Sequence, residues 1–376
     1  MMNAFAHIMR VFHDHAASDL FLTVGFPPAM RVEGSLMKIT DSPLTDEDID
    51  AIIASLLTES QQDDFSATME LNFVTIWEGI ARLRVNVFRQ MHHNALAIRR
   101  VITDIPTVEQ LGLPDMISQL IMKKRGLILV VGQTGSGKST TLAAMIGHRN
   151  QHGTGHIITI EDPIEFVHVH KNCIISQRDV GIDTYSYGMA LKNALRQTPD
   201  VILIGEIRDR ETMEHAIAFA ETGHLCVSTL HSNNANQAIE RILNFFPVEI
   251  HKQVLANLSF NVRGIISQRL VPNMNGKRIP AIEILLNEGV IRDYIHSGEL
   301  HLLKEHMEKN SDIGMQTFDV CLLEYFKKGW ITEDTALTEA DSPSNMRLYI
   351  KQHTSQKKLS HGFDPKAMIF GTNNDF

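Results

Sequence analysis

Cysteine is scarce in this sequence: three in 376 residues, at positions 173, 226 and 321. An odd number of thiols, far apart and without one CxxC pair, excludes a disulfide framework and a zinc knuckle and fits reduced, buried thiols. No apolar run approaches the roughly 18–20 residues that cross a bilayer. The opening stretch, MMNAFAHIMRVFHDHAASD, has one arginine ahead of mixed polar residues and no apolar signal-peptide core. A cytoplasmic protein is therefore expected. Basic charge is also in short supply, since 35 Lys and Arg face 44 Asp and Glu for a net charge of −9. Nucleic-acid binders usually carry a basic excess or stripe, and the short runs MKKRG (122–126) and IRR (98–100) make neither. No aromatic cluster suited to base stacking is visible, nor any internal repeat. Nucleic acid is not expected as a partner.

What is present is an ordinary globular composition, 43% hydrophobic and 21% charged, on a chain long enough for about two or three domains. Residues 1–100 read as a small α+β sheet domain. DLFLTV (19–24) and ARLRVNVF (81–88) alternate as half-buried strands do, and Thr45 and Asp48 stand at capping-box spacing ahead of a helix-period run. Residues 101–122, with two prolines, read as a linker. From 123 to 286 short β-branched runs (LILVV, HIITI, VILIGE, LCVSTL, AIEILL) alternate with helical stretches, the pattern of parallel βαβ units in an α/β fold. Residues 287–352 read as helical, and 353–376 as a polar, mobile tail.

The segment GQTGSGKST, residues 132–140, follows the apolar run GLILVV. It satisfies G-x-x-x-x-G-K-[ST] through Gly132, Gly137, Lys138 and Ser139, with Gln133, Thr134, Gly135, Ser136 and Thr140 completing the loop. Glycines let successive amides turn toward a polyphosphate, and the positive end of the following helix adds to them. Lys138 is expected on the β- and γ-phosphates of ATP, and the Ser139 hydroxyl on Mg²⁺. PDVILIGEIRD ends an apolar strand at Glu206, with Gly205 where a first carboxylate usually stands, so Glu206 is expected to hold Mg²⁺ through water, orient water, or both. IITIEDPIEF places Glu161, Asp162 and Glu165 after another strand, candidates for a base or a metal shell. His224 and His231 flank LCVSTL, each expected where a strand end approaches the phosphates.

Together GQTGSGKST, TIEDPIEF, ILIGEIRD, and TGHL with STLHSNNA resemble the secretion-superfamily hexameric ATPases, in particular the type IV pilus retraction ATPases PilT and PilU. SDLFLTVGFPPAMRVEG and GMQTFD (314–319) extend the resemblance over about residues 5–350. It implies a PAS-like N-terminal domain, a RecA-like P-loop core and a homohexamer. Glu165 would be the catalytic glutamate of an Asp box, Glu206 the Walker B acid, and His224 and His231 a His box. Arg82, Arg84 and Arg99 match the N-terminal-domain arginines that reach the nucleotide. The absent tetracysteine motif favours the retraction branch, while GVIRDYIHSG (289–298), unlike the PilT motif AIRNLIRE, points to PilU. The implied partners are a PilT-type paralogue and the inner-membrane platform protein at the pilus base. The alternatives are an assembly or secretion ATPase of the same superfamily, and a non-catalytic ATP-binding subunit.

Overall fold

The computed structural model describes residues 2–32, 34–77, 81–101 and 104–361. Two compact units emerge. Unit 1 comprises the chain up to residue 105 together with 160–170 and 175–190, and unit 2 comprises 106–159, 171–174 and the chain from 191 onward.

Unit 1 begins with α1 (Met2–Asp14), β1 (Asp19–Thr23), β2 (Ala29–Val32), β3 (Ser35–Lys38), α2 (Asp46–Leu56), α3 (Glu59–Thr68), β4 (Glu70–Trp77), β5 (Ala81–Gln90) and β6 (His93–Val101). The strands form an antiparallel sheet in the order β3-β2-β1-β6-β5-β4. Strand periodicity sets its inner face: Leu83, Val85 and Val87 of β5 alternate with Arg82, Arg84 and Asn86. The apolar set joins Leu20, Leu22, Leu96 and Ile98, with Phe12 of α1 and Ile49 of α2 packed in the same core. The expected capping box starts α2, where Thr45 Oγ1 accepts the Asp48 N–H at 3.2 Å and the Asp48 carboxylate accepts the Thr45 N–H at 3.0 Å. Thr58 and Gln61 repeat the device at α3.

From 106 onward come α4 (Asp115–Ile121), β7 (Gly126–Val131), α5 (Lys138–His152), β8 (Gly155–Glu161), β9 (Cys173–Asp179), α6 (Tyr187–Ala194), β10 (Val201–Ile204), α7 (Arg210–Glu221), β11 (Leu225–Leu230), α8 (Ala235–Leu243) and α9 (His251–Asn261). There follow β12 (Val262–Pro272), β13 (Arg278–Leu286), α10 (Val290–Ser297), α11 (Leu303–Lys309), α12 (Phe318–Lys327), α13 (Glu333–Glu339) and α14 (Pro343–His361). The sheet order is β13-β12-β7-β11-β10-β8-β9. β7 runs parallel to β11 and β12, β10 parallel to β11, and β12 turns back antiparallel into β13. Every residue of β7, β10 and β11 is buried, as continuous apolar strands with both faces covered must be. A smaller apolar cluster joins Val271 and Ala281 to Phe318, Leu322, Ile331, Met346 and Ile350 of the helical region.

Four stretches differ from the sequence reading. Residues 115–121, inside the expected linker, form α4 with Ile117, Leu120 and Ile121 buried. β9 and β12 are strands not anticipated from the sequence. Of the expected tail, 353–361 continues α14, and 362–376 lies outside the described residues. The reason is compositional: HTSQKKLSH holds fair helix formers without an apolar stripe, so periodicity alone carries no signal there. All three cysteines are free and buried, and burial raises each thiol's pKa.

The two tryptophans fall one in each unit. Trp77 meets Phe5 edge-on at 5.0 Å in unit 1, and Trp330 lies against Tyr325 in unit 2. Leu83→Ala is expected to destabilise unit 1 by about 2–5 kcal/mol, through lost burial and the cavity left behind. Denaturant unfolding followed by Trp77 fluorescence in a Trp330→Phe background checks this, and an unshifted midpoint contradicts the packing described.

Candidate functional site

β7 delivers the chain, fully buried, to Gly132, and α5 begins at Lys138. The intervening loop turns because Gly135 (φ 77°) and Gly137 (φ 86°) adopt left-handed backbone that a side chain would strain. Gly137 is constrained twice, since a Cβ there would stand 2.8 Å from Gln268 Nε2. At Gly132 a Cβ would meet the Gln268 carbonyl oxygen and Ser136 Oγ, each at 2.5 Å. Lys138 is buried, and its ammonium points back into the loop, donating to the carbonyls of Gly132 (2.8 Å) and Gln133 (2.9 Å). Ser139 and Thr140 occupy the first turn of α5, partly exposed, while Gln133, Thr134 and Gly135 are exposed. The turn thus offers a helix N-terminus, a cation and two hydroxyls to an anion.

Because β10 and β11 run parallel to β7 or its neighbour, their C-terminal ends emerge at the same edge of the sheet. Glu206 follows β10 and His231 follows β11. Glu206 Oε1 lies 3.1 Å from His231 Nε2, and its Oε2 accepts from Arg208 Nε at 2.9 Å. Burial first, and then the Lys138 ammonium, hold the His231 pKa below the ordinary imidazole range, against an upward pull from Glu206. His231 is therefore neutral at pH 7 and donates from Nε2 to the carboxylate. Gln133 Nε2 donates to Asn233 Oδ1 at 3.1 Å, tying the glycine loop to the loop after His231. A cleft of about 900 Å³ opens beside the glycine loop, lined by residues 132–136, Asn233, Gln268, Arg278, Lys304 and Asp341 among others.

His224 does not join this group, which corrects the expectation that both histidines approach the phosphates. In the register, Leu225 pairs with Gly126 and Leu230 with Val131. His224 therefore precedes β11 at the edge opposite the glycine loop, roughly 20 Å from His231 at about 3.3 Å per residue. Its Nδ1 lies 3.0 Å from Thr222 Oγ1 and its carbonyl accepts the Gly126 N–H at 3.0 Å. Two members of one sequence block are held apart by the strand between them.

The remaining candidates belong to unit 1. Asp162 and Glu165 are exposed on either side of Pro163, and the Asp162–Pro163 bond is cis. Glu161 accepts a 3.4 Å hydrogen bond from Gln177. Nearby Asp179 is buried, which raises its pKa against the pull of an Ile164 N–H and of the Arg84 guanidinium. Arg82 and Arg84 stand on the sheet face turned away from the apolar core, and the register sets Arg84 directly opposite Arg99. Such like-charge pairs repel. Asp19, itself opposite Arg99, accepts from Arg99 Nε at 2.8 Å and offsets the repulsion. Of the candidate arginines, Arg84 faces Asp179 closely enough for its charge to pull that carboxyl's pKa down.

Sequence reasoning missed Gln268, Asn233 and the pairing of Arg208 with Glu206. Gln268 lies in GIISQRLV, where apolar residues flank a polar stretch without the strict alternation that identified β5. A polar residue inside such a run is the available signal.

The sequence profile of the family described as type II/IV secretion system protein matches residues 32–299. The chain belongs to that family. This family member is 51% identical over 348 residues to the type IV pilus ATPase PilU of Pseudomonas aeruginosa, a match covering 92% of this chain and 91% of the relative. It is 40% identical over 329 residues to the type IV pilus retraction ATPase PilT of the same organism, covering 88% and 96%. A crystal structure of the pilus retraction motor PilT with bound ADP matches the fold with a TM-score of 0.84 at 43% identity, covering 90% of this chain and 97% of the other. The ATPase DotB of Legionella pneumophila follows at a TM-score of 0.74 and 27% identity, covering 88% and 93%.

One buried carboxyl lies beneath the loop after His231. Glu283 of β13 accepts the Ala235 N–H and the Ser267 hydroxyl, each at 2.8 Å, and so holds the first residue of α8. Burial raises its pKa to about 7, although both hydrogen bonds favour the anion. A carboxyl whose pKa is higher folded than unfolded binds more protons in the folded state. The stability it contributes is present below the unfolded value of 4.5 and is lost as pH rises toward about 7. Unit 2 is accordingly expected to weaken across that window, and Glu283→Gln to flatten the dependence. Trp330 fluorescence in denaturant at several pH values reads this out, and an unchanged slope in the variant contradicts it.

Proposed function

We propose that this chain is the ATP-hydrolysing subunit of a type IV pilus retraction motor of the PilU kind, powering or assisting retraction beside a PilT-type paralogue. The observation that carries the reading is the glycine loop with Lys138, set at the same sheet edge as the Glu206–His231 pair, in a chain similar to PilU and PilT over nearly its whole length. The loop amides and the start of α5 receive the β- and γ-phosphates of ATP, and Lys138 exchanges its two carbonyl partners for phosphate oxygens. Among the described residues no three His, Cys, Asp or Glu side chains gather as a metal cage. Mg²⁺ carried by phosphates needs only one or two protein oxygens, and the Ser139 hydroxyl and Glu206, the latter through water, fit that demand. When bound, the ion neutralises charge developing between the phosphates. His231 and Arg208 fix the direction of the Glu206 carboxylate, and neutral His231 does so without cancelling its charge.

Resemblance to the family supports the roles proposed for unit 1: Glu165 as the base that activates water, and Arg82, Arg84 or Arg99 as the cation meeting the transferring phosphoryl group. The same resemblance supports a homohexamer on the cytoplasmic side of the inner membrane, acting on a platform protein at the pilus base. No helix among the described residues is long and apolar enough to cross a membrane. Gly205, standing where a carboxylate usually precedes Glu206, favours one second reading, an ATP-binding subunit that depends on PilT for turnover.

Lys138→Ala is expected to lower the steady-state ATPase rate on the order of 100-fold or more, as the loss of a preorganised charge does. The assay uses protein alone and mixed with the PilT-type paralogue, and near-wild-type turnover of the variant removes Lys138 from the reaction. Glu206→Gln is expected to bind ATP as wild type does while turnover falls, since shape survives and charge does not. Equal turnover there would assign Glu206 a structural role.

A further inference from the structure

We infer that Gln268 is a positioning residue for the phosphate loop, setting the direction of the amides that meet the nucleotide; the inference rests on the nucleotide-binding reading above. Gln268 lies on β12, is 3% exposed, and has both ends of its amide committed. Nε2 donates to the Ser136 carbonyl at 2.7 Å, and Oε1 accepts from Thr141 Oγ1 at 2.6 Å. One side chain thus bridges the tip of the loop and the first turns of α5.

The consequence for the loop follows from peptide geometry. In a planar trans peptide the C=O and the next N–H point in opposite directions. By drawing the Ser136 carbonyl toward β12, Gln268 turns the Gly137 N–H the other way, out of the protein interior. Gly137 and Gln268 are matched, because a Cβ at 137 would occupy the space of the Gln268 amide. The strand bearing Gln268 is itself held on both sides. Ser267 pairs in register with Val131 at the end of β7, and Arg269 on the opposite face is gripped by Asp341 and by the Glu339 carbonyl, over the Phe318 ring at 3.9 Å. Gln268 therefore presents a fixed donor to a loop whose glycines would otherwise leave it many conformations.

Gln268→Met keeps the length and volume of the side chain and removes both bonds, and Thr141→Val removes only the helix-side donor. Dissociation constants for a fluorescent N-methylanthraniloyl ADP, KM and kcat for ATP, and the melting temperature of the ligand-free chain are measured for each, beside wild type and Lys138→Ala. Gln268→Met is expected to raise the dissociation constant and KM about 10-fold or more, the equivalent of one unmade buried hydrogen bond. Thr141→Val, leaving the loop-side bond intact, is expected to raise both about threefold. A merely structural glutamine would lower the melting temperature and leave both binding quantities unchanged well below it, and a folded Gln268→Met with wild-type affinity overturns the inference. If that variant does not fold, wild-type affinity in Thr141→Val overturns it instead. Failure of wild type to bind the ADP analogue would remove the nucleotide reading itself, a result distinct from a variant matching a wild type that binds.

Discussion

The arrangement depends on one constraint: residues 132–137 must carry the chain from a buried strand into a helix while leaving backbone amides free for a ligand. A turn that spends its amides on its own hydrogen bonds cannot bind phosphate, and a turn that leaves them free lacks internal support. Within the loop the Ser136 N–H donates to the Gln133 carbonyl at 3.2 Å and Lys138 braces the carbonyls of Gly132 and Gln133, and further support comes from neighbours. β7 lies between β11 and β12, so the loop at its end has the end of β11 on one side and β12 running past it on the other. From β12, Gln268 holds the Ser136 carbonyl. From the segment after β11, Asn233 holds the Gln133 side chain. Parallel strands make this possible, because their C-terminal ends gather at one edge.

The same edge brings unlike charges together: Arg208 pairs with one Glu206 carboxylate oxygen as an ion at 2.9 Å, and an imidazole meets the other. Lys138 and Arg208 are cations, Glu206 an anion, and the imidazole that touches Glu206 stays neutral because burial and Lys138 disfavour a second positive charge. A protonated His231 would pair with Glu206 as an ion and weaken its hold on any other cation. The neutral ring leaves the carboxylate charged and merely aimed. Unit 1 uses the same kind of Arg–carboxylate ion pair on its arginine face, where Asp19 relieves the crowding of Arg84 and Arg99.

How much of this was legible in the sequence depended on whether the signal was local. The glycine loop, Lys138 and Ser139 were legible because glycine, lysine and hydroxyl residues at fixed spacing have a backbone meaning of their own. Glu206 was legible as the first charge after an apolar run, and β5 as a strict alternation. Gln268 was not singled out, since its role arises from residues 132 and 127 positions away, Ser136 and Thr141. His224 was misplaced for the converse reason: nearness along the chain was read as nearness in space, and a six-residue strand intervenes. α4 and the end of α14 were hidden by prolines in one case and by polar composition in the other.

The burial of all three thiols has a practical and a chemical side. A thiolate is the reactive form of cysteine, and at Cys173, Cys226 and Cys321 burial disfavours it while the fold screens the sulfur from reagents. Oxidants and electrophiles that act on exposed, acidic thiols thus meet an inert chain, and its activity need not follow the redox poise around it. The surface is chemically blank to maleimides, so a cysteine placed at an exposed position in either unit would carry a label alone, with the wild-type sequence as its own unlabelled control.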